Sequence, residues 1–297
     1  MQLAFQQFIN ALSLGSIYAL VALGVAILFS ILRLANFAHG ELMTTAGFTL
    51  YMTLASGWNW VLAVIAAIAA SVVAALILER VAYRRLRNAQ PLTLLMTSFA
   101  VSVALQSIFL LTFGARPKGI ELPAFVDASF RIGGMRVQWL DIAIILITAA
   151  IVFGLTLFLR KTVIGLALRS AADDFQTTRL MGVKANALFV GAFVLSGMLA
   201  GIAALFYFAT VPNVVPSSGF EPMLKGFIAC VIGGLGSLPA AIVGGFLLAF
   251  LEVGSDALLS DNFSPYLDAI VFLIAIVILR WRPGGIFGVR LTAEQRV

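Results

Sequence analysis

Nine mainly apolar stretches follow one another along the chain: Phe5–Leu32, Phe37–Leu54, Trp60–Leu78, Leu92–Phe113, Leu140–Leu159, Ala185–Phe208, Met223–Leu238, Pro239–Leu258 and Leu267–Leu279. A helix rises about 1.5 Å per residue, so about 20 such residues cross the roughly 30 Å hydrocarbon core of a bilayer. Lipid offers backbone groups no hydrogen bonds, which leaves helices or a closed barrel as spanning structures. Continuous apolar runs without alternation select helices. The pattern predicts an all-α integral membrane protein, a polytopic helical bundle of about eight or nine transmembrane segments, forming a single transmembrane domain over residues 1–297.

The stretch from Pro222 to Leu258 breaks the pattern, being long for one crossing and cramped for two. Its middle, Gly233-Gly-Leu-Gly-Ser-Leu-Pro239, gathers helix breakers. Two short or tilted crossings are expected, with Gly233, Gly234 and Gly236 at the break. Upstream, Ser218-Gly-Phe-Glu221 has the spacing of a capping box and predicts a helix start there. Gly197 and Gly201, and the pairs Ala240/Gly244 and Ala241/Gly245, present small faces that let helices approach closely in lipid. The pattern leaves open whether they meet within this chain or across a dimer.

Two connections exceed turn length. Residues 114–139, with Pro117, Pro123 and Gly133-Gly134, predict an external, partly structured hairpin. Residues 160–184 form an internal loop in which Leu166 to Met181 lacks proline and glycine. That run predicts a short amphipathic helix with Leu168, Ala171, Ala172, Phe175 and Thr178 on its oily face, stopped by Gly182. Docking to a cytoplasmic partner and resting on lipid headgroups both fit the pattern.

Composition agrees with the spans: 62% of residues are apolar and 11% charged, against roughly 25% charged in soluble domains. The net charge of +6 does not gather into a tract for nucleic acid. It falls in short loops, where basic residues mark the cytoplasmic side. Placing Arg33 and the clusters at Arg80–Arg87, Arg160–Lys184 and Arg280–Arg296 inside leaves only Arg116, Lys118, Arg131, Arg136 and Lys225 outside. The N-terminus is then external and the C-terminus cytoplasmic. No positive charge precedes the first apolar run, so that run is expected to stay as a span.

Catalytic motifs are missing. No Gly-Lys pair exists to build a Walker A loop, the single histidine excludes a multi-histidine metal site, and no GxSxG elbow occurs. Cys230 stands alone and offers neither a disulfide nor a metal set. A conduit is favoured over a catalyst. The one conspicuous polar cluster is Asn36-Phe-Ala-His-Gly-Glu41. Asn36 capping a helix, Gly40 relaxing its backbone and Glu41 meeting first-turn amides would make a plain helix start at the inner interface. The same residues, with His39, also fit a discontinuous helix facing a translocation path, where exposed amides suit a carboxylate and Glu41 an ammonium. Other acids within the spans, Glu252, Asp256 and Asp268, would suit ion coupling in a self-contained channel or secondary transporter.

Gly15-Ser-Ile-Tyr-Ala-Leu20, the Asn36–Glu41 cluster, Glu79-Arg-Val-Ala-Tyr-Arg84, Leu86-Arg87, the Arg169–Gly182 loop, Gly233-Gly-Leu-Gly-Ser237 with Gly244-Gly245, and Arg282-Pro-Gly-Gly-Ile-Phe-Gly288 follow in order. By these motifs the chain resembles, nearly end to end, the permease subunits of branched-chain amino acid ABC importers, the LivH type. Ser170, Ala240 and Arg85 depart from the residues common in that family. The resemblance implies a non-catalytic permease in a bacterial inner membrane. It implies a second, LivM-like permease, two cytoplasmic ATPases that bind the ATP, and an external solute-binding protein, with no cofactor on this chain. It also implies that residues 160–184 carry a cytoplasmic coupling helix. Ala171, Asp173, Asp174 and Gly182 then stand at positions the family pattern favours, with Arg169 and Arg179 beside them. Related permeases carry urea, short amides and other amino acids, so the resemblance leaves the cargo open.

Overall fold

The computed structural model describes residues 2–32, 36–86, 89–126, 128–132, 135–173, 175–258, 266–282 and 284–287. Eleven α-helices are described: α1 (Gln2–Leu32), α2 (His39–Ala55), α3 (Trp60–Leu78), α4 (Pro91–Phe113), α5 (Trp139–Lys161), α6 (Val163–Asp173), α7 (Phe175–Leu180), α8 (Ala185–Thr210), α9 (Phe220–Gly233), α10 (Leu238–Leu258) and α11 (Leu267–Trp281). One π-helical turn, Glu79–Tyr83, extends α3. Among the described residues α1, α3, α4, α5, α8 and α10 are long and apolar enough to cross a membrane. With 17, 14 and 15 residues, α2, α9 and α11 are shorter. At about 25, 21 and 22 Å they fall short of the roughly 30 Å hydrocarbon core.

The loop over residues 114–139 contains the expected hairpin, β2 (Ser129–Ile132) antiparallel to β3 (Met135–Gln138) with Ser129 opposite Gln138. A second pairing was not foreseen: β1 (Lys118–Gly119) lies antiparallel to β4 (Asn213–Val214), tying this loop to the α8–α9 connection.

The core forms around α1 and α8, which pack on each other; α9 and α10 pack against α1, and α2 and α3 against α8. The small faces settle where the close approaches occur. Gly197 and Gly201 of α8 lie on α3, where Ser71 donates a 2.7 Å hydrogen bond to the Gly197 carbonyl. Gly245 lies against Ala19 of α1 and Gly244 against the Ala229 backbone of α9. These contacts are therefore within the chain.

Two expectations fail at helix ends. The capping box at Ser218–Glu221 does not form: Gly219 holds the cap position without a side-chain bond. Ser218 Oγ instead accepts from Val215 N at 2.8 Å, because the cap position is pressed against α2. The helix expected over Leu166–Met181 is two helices, α6 and α7, with Asp174 between them outside the described residues. It begins earlier, because Thr162 Oγ1 accepts from Gly165 N at 3.0 Å and starts the turn. Gly182 stops α7 with φ +86°. Leu168, Ala171 and Thr178 are buried as expected, whereas Val163, Leu180 and Met181 are exposed. The side chain of Phe175, like Arg33 and its charge, lies outside the described residues.

A very close junction joins the starts of α2 and α9. A Cβ on Gly40 would lie 2.9 Å from the Gly219 carbonyl carbon, and one on Gly219 would lie 2.7 Å from that of Gly40. Neither backbone can yield, since each begins a helix wedged among others. Gly219→Ala is therefore expected to cost at least the ~1–3 kcal/mol of ordinary overpacking, read as a lower thermal midpoint of the purified protein in detergent. A midpoint equal to wild type would show that the two helix starts are free to separate.

Candidate functional site

Asn36, His39, Gly40 and Glu41 come together in the bundle interior rather than at its edge. Ala38 occupies the cap position of α2 and has no side-chain cap bond. Asn36 works two residues earlier: its Oδ1 accepts from Ala38 N at 3.0 Å and from the Tyr83 hydroxyl at 2.6 Å. Glu41 does not serve its own helix start either. Its Oε1 accepts from Ser102 Oγ and Gln106 Nε2 of α4, both at 2.8 Å. These partners lie midway along α4.

His39 is wedged between α1 and α8. Its Nδ1 is 3.0 Å from Ser196 Oγ, and its ring leaves no room for a side chain at Gly24, where a Cβ would meet Cε1 at 2.6 Å. In this bond either the Ser196 hydroxyl or the imidazole N–H donates, according to the tautomer. Gly219 N donates to Thr44 Oγ1 at 3.0 Å, and Phe37 N to Ser98 Oγ at 3.2 Å. Asn36, His39 and Glu41 are each at most 2% exposed. Even so, Asn36 Nδ2, His39 Nε2 and Glu41 Oε2 have no hydrogen-bond partner among the described residues.

One turn into α9 lies a second cluster. Lys225, one of the five basic residues expected on the outer side, is buried in α9. Its Nζ lies 2.8 Å from Glu252 Oε1, 3.0 Å from Asp268 Oδ1 and 3.1 Å from Glu221 Oε1. Tyr18 donates its hydroxyl to Glu252 Oε2 at 2.8 Å. Three carboxylates thus share one ammonium, and Glu221 and Asp268 remain more than half exposed on the bundle's flank.

Gly233, Gly234 and Gly236 are not part of either cluster. They form the turn between α9 and α10, with φ +132° at Gly234 and +89° at Gly236, a region that favours glycine. The chain beyond α11 docks on this turn: Ile286 N donates to Ile232 O at 2.8 Å and Phe287 N to Gly233 O at 3.0 Å. Arg169 and Ala171 lie on α6, Asp173 ends it, Arg179 lies on α7 and Gly182 follows. The side chains of Asp173 and Arg179, and all of Asp174, lie outside the described residues. Among the described residues no group of three or more His, Cys, Asp or Glu is placed to hold a metal.

Several partners escaped sequence reasoning, although a signal existed. Ser98, Ser102 and Gln106 recur every four residues and so share one face of an otherwise apolar helix. Glu221 and Lys225 have the same spacing. Tyr83 and Ser196 had no local signal.

Short helices that begin inside a bundle of membrane-length helices, with buried polar side chains at their starts, define an integral membrane protein built around an interior discontinuity. The arrangement is that of a membrane permease. Residues 7–279 match the family described as branched-chain amino acid transport system / permease component, and the chain belongs to it. BraD of Pseudomonas aeruginosa, a high-affinity branched-chain amino acid transport system permease protein, is 34% identical over 295 residues, 95% of each chain. LivH of Escherichia coli, with the same description, is 31% identical over 297 residues, again 95% of each. A shorter match, 27% over 112 residues and 36% of this chain, is to the autoinducer 2 import system permease protein LsrC of Yersinia pestis, of which it covers 32%.

The ionic cluster makes a prediction. Lys225→Met leaves three carboxylates facing one another, two of them more than half exposed, so the cost comes mainly from the largely buried Glu252 and falls below the ~3–5 kcal/mol of breaking a fully buried pair. The thermal midpoint should fall sharply and recover in part when Glu252→Gln is added. A Lys225→Met protein as stable as wild type would show that the carboxylates are held by other groups.

Proposed function

We propose that this chain is the membrane-spanning, non-catalytic permease subunit of an ATP-driven importer for branched-chain or related amino acids. It would work beside a second, LivM-like permease, with two ATPases on the cytoplasmic side and a solute-binding protein outside. The family membership and the names of the relatives similar over 95% of the chain support this reading. The partial likeness to an autoinducer 2 permease favours a second reading of the cargo alone, in which the same scaffold carries other small polar solutes, urea and short amides included. A self-contained channel or secondary transporter is the competing mechanism. It is disfavoured because Glu252 and Asp268 are already engaged by Lys225.

In this reading the chain crosses the inner membrane about nine times, N-terminus outside and C-terminus inside, with α2 and α9 as the discontinuous elements. The α6–α7 segment is the coupling helix. Its exposed Val163, Leu180 and Met181 suit a groove in an ATPase better than water.

One observation supports the gating role: Asn36 Nδ2, His39 Nε2 and Glu41 Oε2 are buried at the start of α2 without a partner among the described residues. Left dry, such an atom would cost about 1–3 kcal/mol, so water, cargo or a shift of the helix starts would be favoured to supply partners. Asn36, His39, Gly40 and Glu41 then form the gate, and the Gly233–Gly236 turn is the pivot on which α9 moves.

Uptake of labelled leucine into vesicles containing the full complex, with ATP at the ATPase side, tests both parts. Glu41→Gln should slow uptake by about tenfold, one 1.4 kcal/mol step, without dissociating the complex. An unchanged rate would return Glu41 to a structural role. Asp173→Arg with Asp174→Arg should leave the chain inserted but uncouple ATP hydrolysis from uptake, and normal uptake would place the loop on lipid. Uphill uptake by this chain alone would overturn the proposed function.

A further inference from the structure

The two short helices that start at the Gly40–Gly219 contact leave it in opposite directions. α1 and α10 run antiparallel, since Phe8, Gly15 and Ala19 of the first meet Phe250, Phe246 and Gly245 of the second. The end of α1, at Ile27 and Ile31, shares one cleft with Leu238 at the start of α10 and Leu195 in the first half of α8, so α1 runs against α8 as well. Along α8 lies α2 in the same sense, with His39 at Ser196 and Gly47 at Phe208. Against α10 runs α9, with Ala229 at Gly244 and Gly233 at Ala240, and so α9 follows α1. From their shared contact, α2 therefore heads for one face of the membrane and α9 for the other.

The correspondence extends to their neighbours. Gly40 and Gly219 are each followed seven residues on by a Gly-Phe pair, Gly47-Phe48 and Gly226-Phe227. Gly47 packs on Phe208 of α8, and Gly226 on Val21 of α1. α3 lies on α8 as α10 lies on α1, through Gly197 and Gly201 in one case and Gly15 and Gly245 in the other. Each short helix is tied outward by one polar side chain, Glu41 to α4 and Lys225 to α11. α1–α4 and α8–α11 thus repeat one four-helix arrangement in opposite senses, an architecture in which short helices meet inside the bundle. The copies differ in the tie: hydrogen bonds hold α2, whereas ions hold α9.

We propose that the starts of α2 and α9 are one coupled pair of gates, and that the Lys225 cluster is the latch that holds both. Two backbones too close for a Cβ between them cannot move independently in a close-packed interior: displacing α9 either carries Gly40 along or opens a void beside it. Because the two helices lead to opposite faces, a movement that opens the path past one start shifts the other. Glu252 and Asp268 hold Lys225 to α10 and α11. Through Gly219 they also hold the start of α2, which has no ionic tie of its own among the described residues. Lys225 and Gly226 are then positioning residues for the gate. That gating meaning rests on the proposed function, whereas the mechanical coupling does not.

Amide hydrogen exchange of the full chain in lipid nanodiscs, without ATPases or cargo, tests the coupling. His39 N and Glu41 N donate to the Asn36 and Ala38 carbonyls, so their exchange reports opening of the first turn of α2. In a Cys230→Ala background, Val21→Cys with Gly226→Cys clips α9 to α1. A Cβ on Gly226 would lie 2.8 Å from the Val21 Cβ, and a disulfide holds its Cβ atoms about 1 Å further apart. Oxidation should slow the α2 amides at least about fivefold, the lower end of ordinary coupling between sites, and reduction should restore them. Lys225→Met, which unlatches α9 without a disulfide, should speed the same amides by a similar factor while the middle of α3 keeps its wild-type rates. A control clip between Gly15→Cys and Phe246→Cys, on α1 and α10 but on neither short helix, should leave α2 unchanged. Exchange at α2 unmoved by closing the α9 clip, or slowed equally by the control clip, would overturn the coupling, and exchange unmoved by Lys225→Met would overturn the latch. In the full complex the oxidised α9 clip should abolish leucine uptake and reductant should restore it. Uptake at the wild-type rate with the clip closed would overturn the paired gates while leaving the importer assignment intact.

Discussion

The backbone contact between Gly40 and Gly219 governs much of what surrounds it. Two helices begin there, inside the bundle and away from water. A helix start leaves several N–H groups without partners, and the interior must supply them or pay in stability. The chain answers with short polar side chains: Thr44 Oγ1 takes Gly219 N, Asn36 Oδ1 takes Ala38 N, and Ser98 Oγ takes Phe37 N. Once Asn36, His39 and Glu41 are inside, they in turn need Tyr83, Ser196, Ser102 and Gln106 from three different neighbouring elements. The polar residues scattered over α3, α4 and α8 thus follow from one decision, to start helices in the middle.

The two polar clusters solve the burial problem differently. Around α2 the groups are neutral or singly charged and joined by hydrogen bonds, with three atoms left over. Around Lys225 the groups are ions held at 2.8 to 3.1 Å. The second arrangement ties α9 to α10 and α11, and the packing of Gly226 on Val21 ties it to α1. The far end of α9 is fixed by the chain after α11. The start of α2 has no such ionic clamp among the described residues, and incompletely satisfied polar groups are poor at specifying a single arrangement. Of the two helices that start at the Gly40–Gly219 contact, α2 is therefore the one whose first turn is least firmly determined by its surroundings.

Six of the expected spans were legible as membrane-length helices because lipid imposes length and apolarity, and neither depends on tertiary context. The Asn36–Glu41 cluster was legible as an anomaly, since six residues with an asparagine, a histidine and a glutamate do not belong in a span without cause. Their depth was not legible: Arg33 suggested the interface, whereas the contacts with the middle of α4 and α8 place His39 and Glu41 in the interior. The ion cluster around Lys225 was not legible because Glu252 and Asp268 are 27 and 43 positions away, and only Glu221 is near in sequence. The capping box at Ser218 failed for a related reason. Local spacing predicted a cap, but the contact with Gly40 claimed the cap position, and tertiary packing outweighed a term of about 1 kcal/mol.

A movement at the coupling segment has a physical route to the gate. Leu168 and Ala171 of α6 are buried, and α6 touches both α1 and α8. The imidazole of His39 is caught between those same two helices, against Gly24 of α1 and Ser196 of α8. Close-packed helices shift as rigid bodies rather than deform, so a change in the spacing of α1 and α8 at the α6 end must be felt at His39. Adjacency alone does not make a pathway; a two-state element that both ends can bias does. Under the proposed function the first turn of α2 would be that element, because its polar atoms without a partner among the described residues would gain from a displaced arrangement. Under the proposed function, a closing motion of the ATPases would alter the α1–α8 gap, and the polar residues at the start of α2 would respond by exchanging partners.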